Sequence, residues 1–426
     1  MSPYRVIAIA CLLLTCLVSP WLFGSVQVPV QVGLWVLLAI GVAATAADPF
    51  TSPAVPSRVP WLFWVACGAV VVGGLQLVPL PLPLLAACSP VASELWQVPR
   101  DLSFAPISLH PAETRYHITL LLGGLAGIWI AHRCLATDRA RRLFLAAVLI
   151  NGILLTVVGV AHYLTASESG VILWYRKLTQ GGRPFASFVN RNHAGGYLNL
   201  CLAAGFGLVL WQGLARPRGN GGPESPISRW GPAAGTAVVF LGVLATLSRS
   251  AVLGLAGGMA LLMGVVLIKR VKGVAAIPLL ILAVAATALM WTERGAMLVD
   301  RFHRVSTDDV QGVGSRLEHW QDALRGVPDF LTLGSGLGTY RFIYRRYQDS
   351  FQDGWYYHAE NQYLEALLEG GLIGLGLLLG CLLVAACGLW RLLRRAESPV
   401  VLALGVTGGF AFVSQALQSC FDFGLY

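Results

Sequence analysis

Charge is scarce in this sequence. Charged residues fill 12% of its 426 positions and hydrophobic residues 56%, about half the charge share of an ordinary soluble domain. That deficit excludes a soluble globular protein and leaves an integral membrane one. Metal-ligand spacing is lacking among the nine cysteines. Cys11, Cys16, Cys67, Cys201, Cys381 and Cys387 fall in apolar runs as small hydrophobes, and Cys88, which would face an oxidising compartment, has no obvious partner. The net charge of +9 comes from arginines scattered over short loops, with no zinc knuckle or helix-turn-helix, so nucleic acid is excluded as a partner. A flanking soluble domain and a convincing internal repeat are also lacking. Residues 6–24 show no small-residue cleavage site before a soluble domain, and a second apolar run follows at once, so they read as a first span rather than a leader.

What is there is membrane. A helix needs about twenty apolar residues to cross the hydrocarbon core. That length predicts eleven spans: 6–24, 28–47, 60–79, 117–133, 143–164, 193–213, 231–248, 250–268, 273–291, 363–390 and 399–418. The fold expected is an all-α, polytopic helical bundle of about eleven to twelve transmembrane helices, a twelfth being conceivable beyond Tyr426. Basic residues in short loops (Arg5, Arg139 to Arg142, Arg216 and Arg218, Lys269 to Lys272, Arg391 to Arg395) place the N-terminus in the cytoplasm. Loops near 80–116, 165–192 and 292–362 then lie outside, where long loops translocate largely regardless of charge. The chain divides into residues 1–291 with nine spans, a large outer loop at 292–362 containing short helices, and 363–426 with the last spans.

The large loop is the anomaly. It carries Arg294, Arg301, Arg304, Arg316, Arg325, Arg341, Arg345 and Arg346 among many aromatics, which suggests an anionic, lipid-borne substrate. Arg249, between Ser248 and Ser250 at a span junction, reads either as a snorkelling turn residue or as a phosphate ligand, whose oxygens a guanidinium matches bidentately. Asn190 or Asn192 can cap the sixth span, with Arg191 and His193 beside the anion-favouring helix start. Residues 315–324 predict an amphipathic helix, and the glycine run 333–340 predicts a tight turn or a phosphate cradle. At helical spacing Glu365 and Glu369 share one face as interfacial residues, and His358 and Glu360 precede them as candidate general bases.

In these residues the chain resembles the O-antigen ligase and polymerase superfamily. Arg249 with Leu253 four residues on, Arg316 ahead of Trp320, the stretch 190–193, and Asn361 followed by Gly371 and Gly374 match family patterns. Glu360 stands where the family's catalytic histidine is expected, with His358 two residues earlier. The resemblance implies a membrane glycosyltransferase of the bacterial inner membrane, with its active loop in the periplasm, free of metal and cofactor. It would move a glycan from undecaprenyl pyrophosphate to a hydroxyl of a glycan, lipid or protein acceptor, in O-antigen or exopolysaccharide synthesis. Arg249, Arg316 and Arg191 would bind the pyrophosphate. Glu360 or His358 would be the base, Glu360 being expected to matter more, with Asn361 orienting it and Trp355, Tyr356 and Tyr357 stacking on sugar. The other classes are a lipid-glycan flippase or transporter, which inverted repeats and mid-membrane charges would mark, and a non-catalytic scaffold.

Overall fold

The computed structural model describes residues 2–48, 59–97, 102–165, 171–173, 176–177, 184–215, 226–270, 310–349 and 356–422. The described chain is almost entirely helical, with two short antiparallel strand pairs. Seven described helices are long and apolar enough to cross a membrane, and Trp61–Gln76 and Trp230–Ala245 are shorter apolar helices. Helix Pro111–Cys134 covers the predicted span 117–133, whereas the predicted span 273–291 lies outside the described residues. The fold is thus the all-α polytopic one expected.

The chain forms two compact units, each discontinuous in sequence. The first comprises Met1–Ser57, Trp129–Val299 and Ala386–Gln418. Its helices are α1 (Pro3–Val18), α2 (Val28–Ala47), α7 (Asp138–Thr165), α8 (Arg191–Ala215), α9 (Pro226–Ala245), α10 (Arg249–Ile268) and α14 (Pro399–Gln418). Helix α8 is the central element: 89% of its apolar window is buried, and it packs on α7, α9, α10 and α14. Small residues permit that. A Cβ at Gly207 would run into Thr407 of α14, so glycine lets the two backbones close. One chain of polar side chains links helices inside this bundle. Trp21 Nε1 donates to Asn151 Oδ1 (2.8 Å), Asn151 Nδ2 donates to Tyr197 Oη (2.8 Å), and Tyr197 Oη donates to Cys16 O (3.1 Å).

The second unit comprises Arg58–Ile128, Asp300–Ala385 and Ser419–Tyr426. Its helices are α3 (Trp61–Gln76), α4 (Leu82–Cys88), α5 (Pro90–Gln97), the first part of α6 (Pro111–Cys134), α11 (Val310–Arg325), α12 (Tyr340–Tyr347) and the first part of α13 (Gln362–Arg394). Strands Leu80–Pro81 and Phe104–Ala105 pair antiparallel. The predicted amphipathic helix at 315–324 is the C-terminal part of α11. A small core of Phe330, Tyr340, Ile343, Tyr344, Ala359, Leu364 and Leu368 joins α12 and α13 to the intervening turns.

Candidate active site

Helix α13 starts where Asn361 caps it, its side-chain oxygen accepting from the amides of Tyr363 and Leu364 (both 3.1 Å). One turn past Leu368 the helix breaks at Gly371, whose φ of 63° and ψ of −162° suit glycine alone. The amide of Leu372 then donates to Leu331 O (2.7 Å) instead of continuing the helix ladder. Carbonyls freed by a kink need other donors, and the glycine run supplies them. Ser335 N donates to Leu368 O and Gly336 N to Glu369 O (both 3.0 Å).

Every amide from Gly334 to Tyr340 is engaged in this way. Gly334 N reaches Phe330 O, Leu337 N reaches Gln76 Oε1, Thr339 N reaches Gly336 O, and Gly338 N and Tyr340 N reach the Glu369 carboxylate (both 2.8 Å). Of the two sequence readings for this run, the tight turn holds; its amides are committed and cradle no phosphate. Gln76, buried at the end of α3, donates to both Leu333 O and Glu369 O (2.7 Å each). Glu365 and Glu369, whose spacing suggests interfacial residues, are each only 1% exposed. Burial at that level demands hydrogen-bonding partners, and both carboxylates have them.

Just ahead of the cap, two ionisable pairs flank Ala359. His358 Nδ1 lies 2.9 Å from Glu365 Oε1, and Glu360 Oε2 lies 2.5 Å from Arg316 Nε of α11. Ala359 is pinned on both sides: its amide donates to Glu365 Oε2 (3.1 Å) and its carbonyl accepts from Trp320 Nε1 (2.8 Å). Glu360 holds a positive φ of 51°, a conformation that costs a non-glycine residue about 1 kcal/mol or more and that surrounding contacts must enforce. His358, Arg316 and Glu360 all remain about a third exposed, so a substrate can reach them.

Further residues surround these pairs that the sequence reading missed. Glu113 of α6 pairs with Arg341 of α12, and His117, one turn along α6, lies within electrostatic reach of Glu113, Glu365 and His358. An ionisable residue at i and i+4 on the first turns of an apolar helix was the available signal. His319 of α11 is buried in a ring cluster, tilted against Tyr344 and Tyr356 (ring centroids 4.4 and 3.9 Å away) and hydrogen-bonded to Tyr340 Oη (2.7 Å). Desolvation pushes its imidazole down to about 4, with Arg316 adding and Asp322 opposing. Tyr356 therefore belongs to an internal cluster, Tyr357 is 48% exposed against Arg341, and Trp355 lies outside the described residues. Of the loop arginines, Arg325, Arg341 and Arg346 pair with Asp349, Glu113 and Glu94. Arg294, Arg301 and Arg304 lie outside the described residues.

Arg191 and Arg249 belong to the first unit, at the starts of α8 and α10. Asn190 caps the start of α8 through the Asn192 amide (2.9 Å), and Ser248 caps α10 through Ala251 N. Ser248 Oγ also donates to the Asn192 side-chain oxygen (2.8 Å), tying the two helix starts together. Both arginines are half-buried.

Fold and site together define a multi-pass α-helical membrane protein with an ionisable cluster set ahead of a kinked helix. A match to the O-antigen ligase family covers residues 234–379, which supports membership of the O-antigen ligase and polymerase superfamily. The matched segment contains Arg249, Arg316, His358, Glu360 and the kink at Gly371. The matched family is one of ligases, which supports an enzymatic role. Comparison with curated proteins finds no match.

Proposed function

We propose that the protein transfers or polymerises an undecaprenyl-diphosphate-linked oligosaccharide onto an acceptor hydroxyl, at the periplasmic face of a bacterial inner membrane. The observation that carries this reading is the pair of ionisable contacts flanking Ala359, inside the segment that matches the ligase family. In the reaction the acceptor oxygen bonds to the anomeric carbon as its proton moves to a base. The bond from that carbon to the diphosphate breaks, and its electron pair leaves on the polyprenyl diphosphate. Arg316 is the donor-facing cation of the second unit, and a preorganised guanidinium stabilises charge growing on such a leaving group.

The geometry supports His358 as the base over Glu360, reversing the ranking that family spacing suggests. Glu360 is occupied as the counter-ion of Arg316, whereas His358 is backed on one ring nitrogen and exchanges its proton through Nε2. Asn361 serves as the helix cap. Arg249 and Arg191 are assigned to the anionic donor on sequence resemblance. In vitro transfer from purified undecaprenyl-diphosphate oligosaccharide tests the reading. Arg316→Ala and Arg249→Ala are each expected to lower turnover about 10²–10³-fold while the protein still inserts. Near-normal rates in both would remove the diphosphate clamp. A product ladder without added acceptor marks a polymerase, and one discrete acceptor-dependent product marks a ligase.

A further inference from the structure

Glu365 is a carboxylate sealed inside the second unit, 1% exposed, with two consecutive residues aimed at it. Its Oε2 accepts from the Ala359 amide at 3.1 Å, and its Oε1 lies 2.9 Å from His358 Nδ1. Burying a carboxylate is costly unless hydrogen bonds repay its lost hydration. A brace for the loop needs only the backbone contact, which a neutral side chain would make at lower desolvation cost. The second oxygen, turned to the imidazole, is what calls for a carboxylate.

We infer that Glu365 is the positioning residue for His358: it holds the proton on Nδ1, leaves Nε2 as the basic nitrogen, and stabilises the imidazolium formed when Nε2 takes a proton. This inference rests on the proposal that His358 is the base. The balance is simple. The acceptor hydroxyl gives its proton to Nε2, the oxygen forms the new bond to the anomeric carbon, and the diphosphate departs with the electron pair. Glu365 neither gives nor takes a proton in this balance and touches no substrate. The other charged groups around the pair are Glu113, His117 and Arg341 on one side and the Arg316–Glu360 pair on the other.

Glu365→Gln separates positioning from bracing. The amide keeps an oxygen for Ala359 N–H but presents an NH2 donor to His358 Nδ1, which drives the ring proton to Nε2, the wrong nitrogen for a base. The test uses the purified full-length protein with undecaprenyl-diphosphate oligosaccharide and a soluble oligosaccharide acceptor, comparing Glu365→Gln, Glu365→Asp, His358→Ala and the His358→Ala/Glu365→Gln double variant. In Glu365→Gln, kcat is expected to fall about 10²–10⁴-fold with KM nearly unchanged. Glu365→Asp, which keeps the charge, is expected to recover at least about a tenth of the wild-type kcat. The double variant is expected to be within about two-fold of His358→Ala, because the two residues act as one unit.

Full kcat in Glu365→Gln, a loss carried by KM, or additive losses in the double variant would overturn the inference while leaving His358 as the base. An Asp variant as inactive as the Gln variant would overturn it too. A His358→Ala protein with normal turnover would instead overturn the base assignment on which the inference rests.

Discussion

The two units use buried polar side chains in opposite ways. In the helical bundle, Trp21, Asn151 and Tyr197 hand hydrogen bonds to one another and to the α1 backbone. There the polar groups fasten one helix to the next. In the second unit, Gln76 and the glycine run donate to carbonyls released by a break in α13, and the Glu369 carboxylate accepts from amides of that run. Polar groups in the first case close a circuit; in the second they keep a helix open just below two ionisable pairs. The unit carrying His358 and Glu360 thus sets a broken helix beside its ionisable pairs, whereas the bundle carries most of the membrane spans.

This contrast can be broken most forcefully at Gly371. Gly371→Ala adds about 1–3 kcal/mol of backbone strain, and its Cβ would also run into the Thr332 carbonyl. Loss of folded protein in fluorescence-detected size exclusion is the expected readout. A variant as stable as wild type would show that the kink is not enforced. Next, Gln76→Leu leaves the half-buried Leu337 amide without its acceptor (3.1 Å to Gln76 Oε1), at about 0.5–1.5 kcal/mol. Its thermal midpoint in detergent is expected to fall, and an unchanged midpoint would mean another group recaptures that amide.

A third probe is acid. Because burial holds the His319 imidazole down near 4, below the ordinary histidine range, the unfolded chain binds the proton more readily than the folded one. Stability contributed by the neutral ring is therefore complete above about pH 6.5 and is lost as pH falls towards 4. Thermal melts between pH 7.5 and 4.5 are expected to show this loss, and His319→Gln is expected to flatten it; an identical pH slope in that variant would assign the acid sensitivity elsewhere. The smallest effect is expected in the bundle. Asn151→Leu, which opens the Trp21–Tyr197 circuit, is expected to cost about 0.6 kcal/mol and at most about 1.7. A larger cost, or any change in transfer rate, would blur the division between the two units.

The helices were legible because hydropathy is local: each apolar run reports its own burial without reference to distant residues. His358 and Glu360 stood out for a related reason, as ionisable residues just ahead of a helix start capped at Asn361, and Arg316 stood out by its place ahead of Trp320. Gln76 was not, since its partners Leu333 and Glu369 lie 257 and 293 residues away. Nothing in an apolar helix marks one glutamine as a backbone clamp. Glu365 and Glu369 were visible as a pair on one face, but spacing alone does not distinguish a carboxylate at the interface from one sealed beneath a turn. The glycine run was ambiguous for the same reason. Whether amides are available to an anion depends on what else claims them, and here the claimants are carbonyls exposed by a break in another helix.

The clamp on Ala359 carries one more consequence. With its amide and carbonyl both fastened, the backbone cannot slide by two positions, so residues 358 and 360 occupy fixed and unequal stations. One is served by an enclosed acid, the other by a guanidinium. Chemical role here is a property of the station and not of the count from a landmark asparagine. On the function proposed above, the imidazole stands two residues ahead of the position where family spacing expects it.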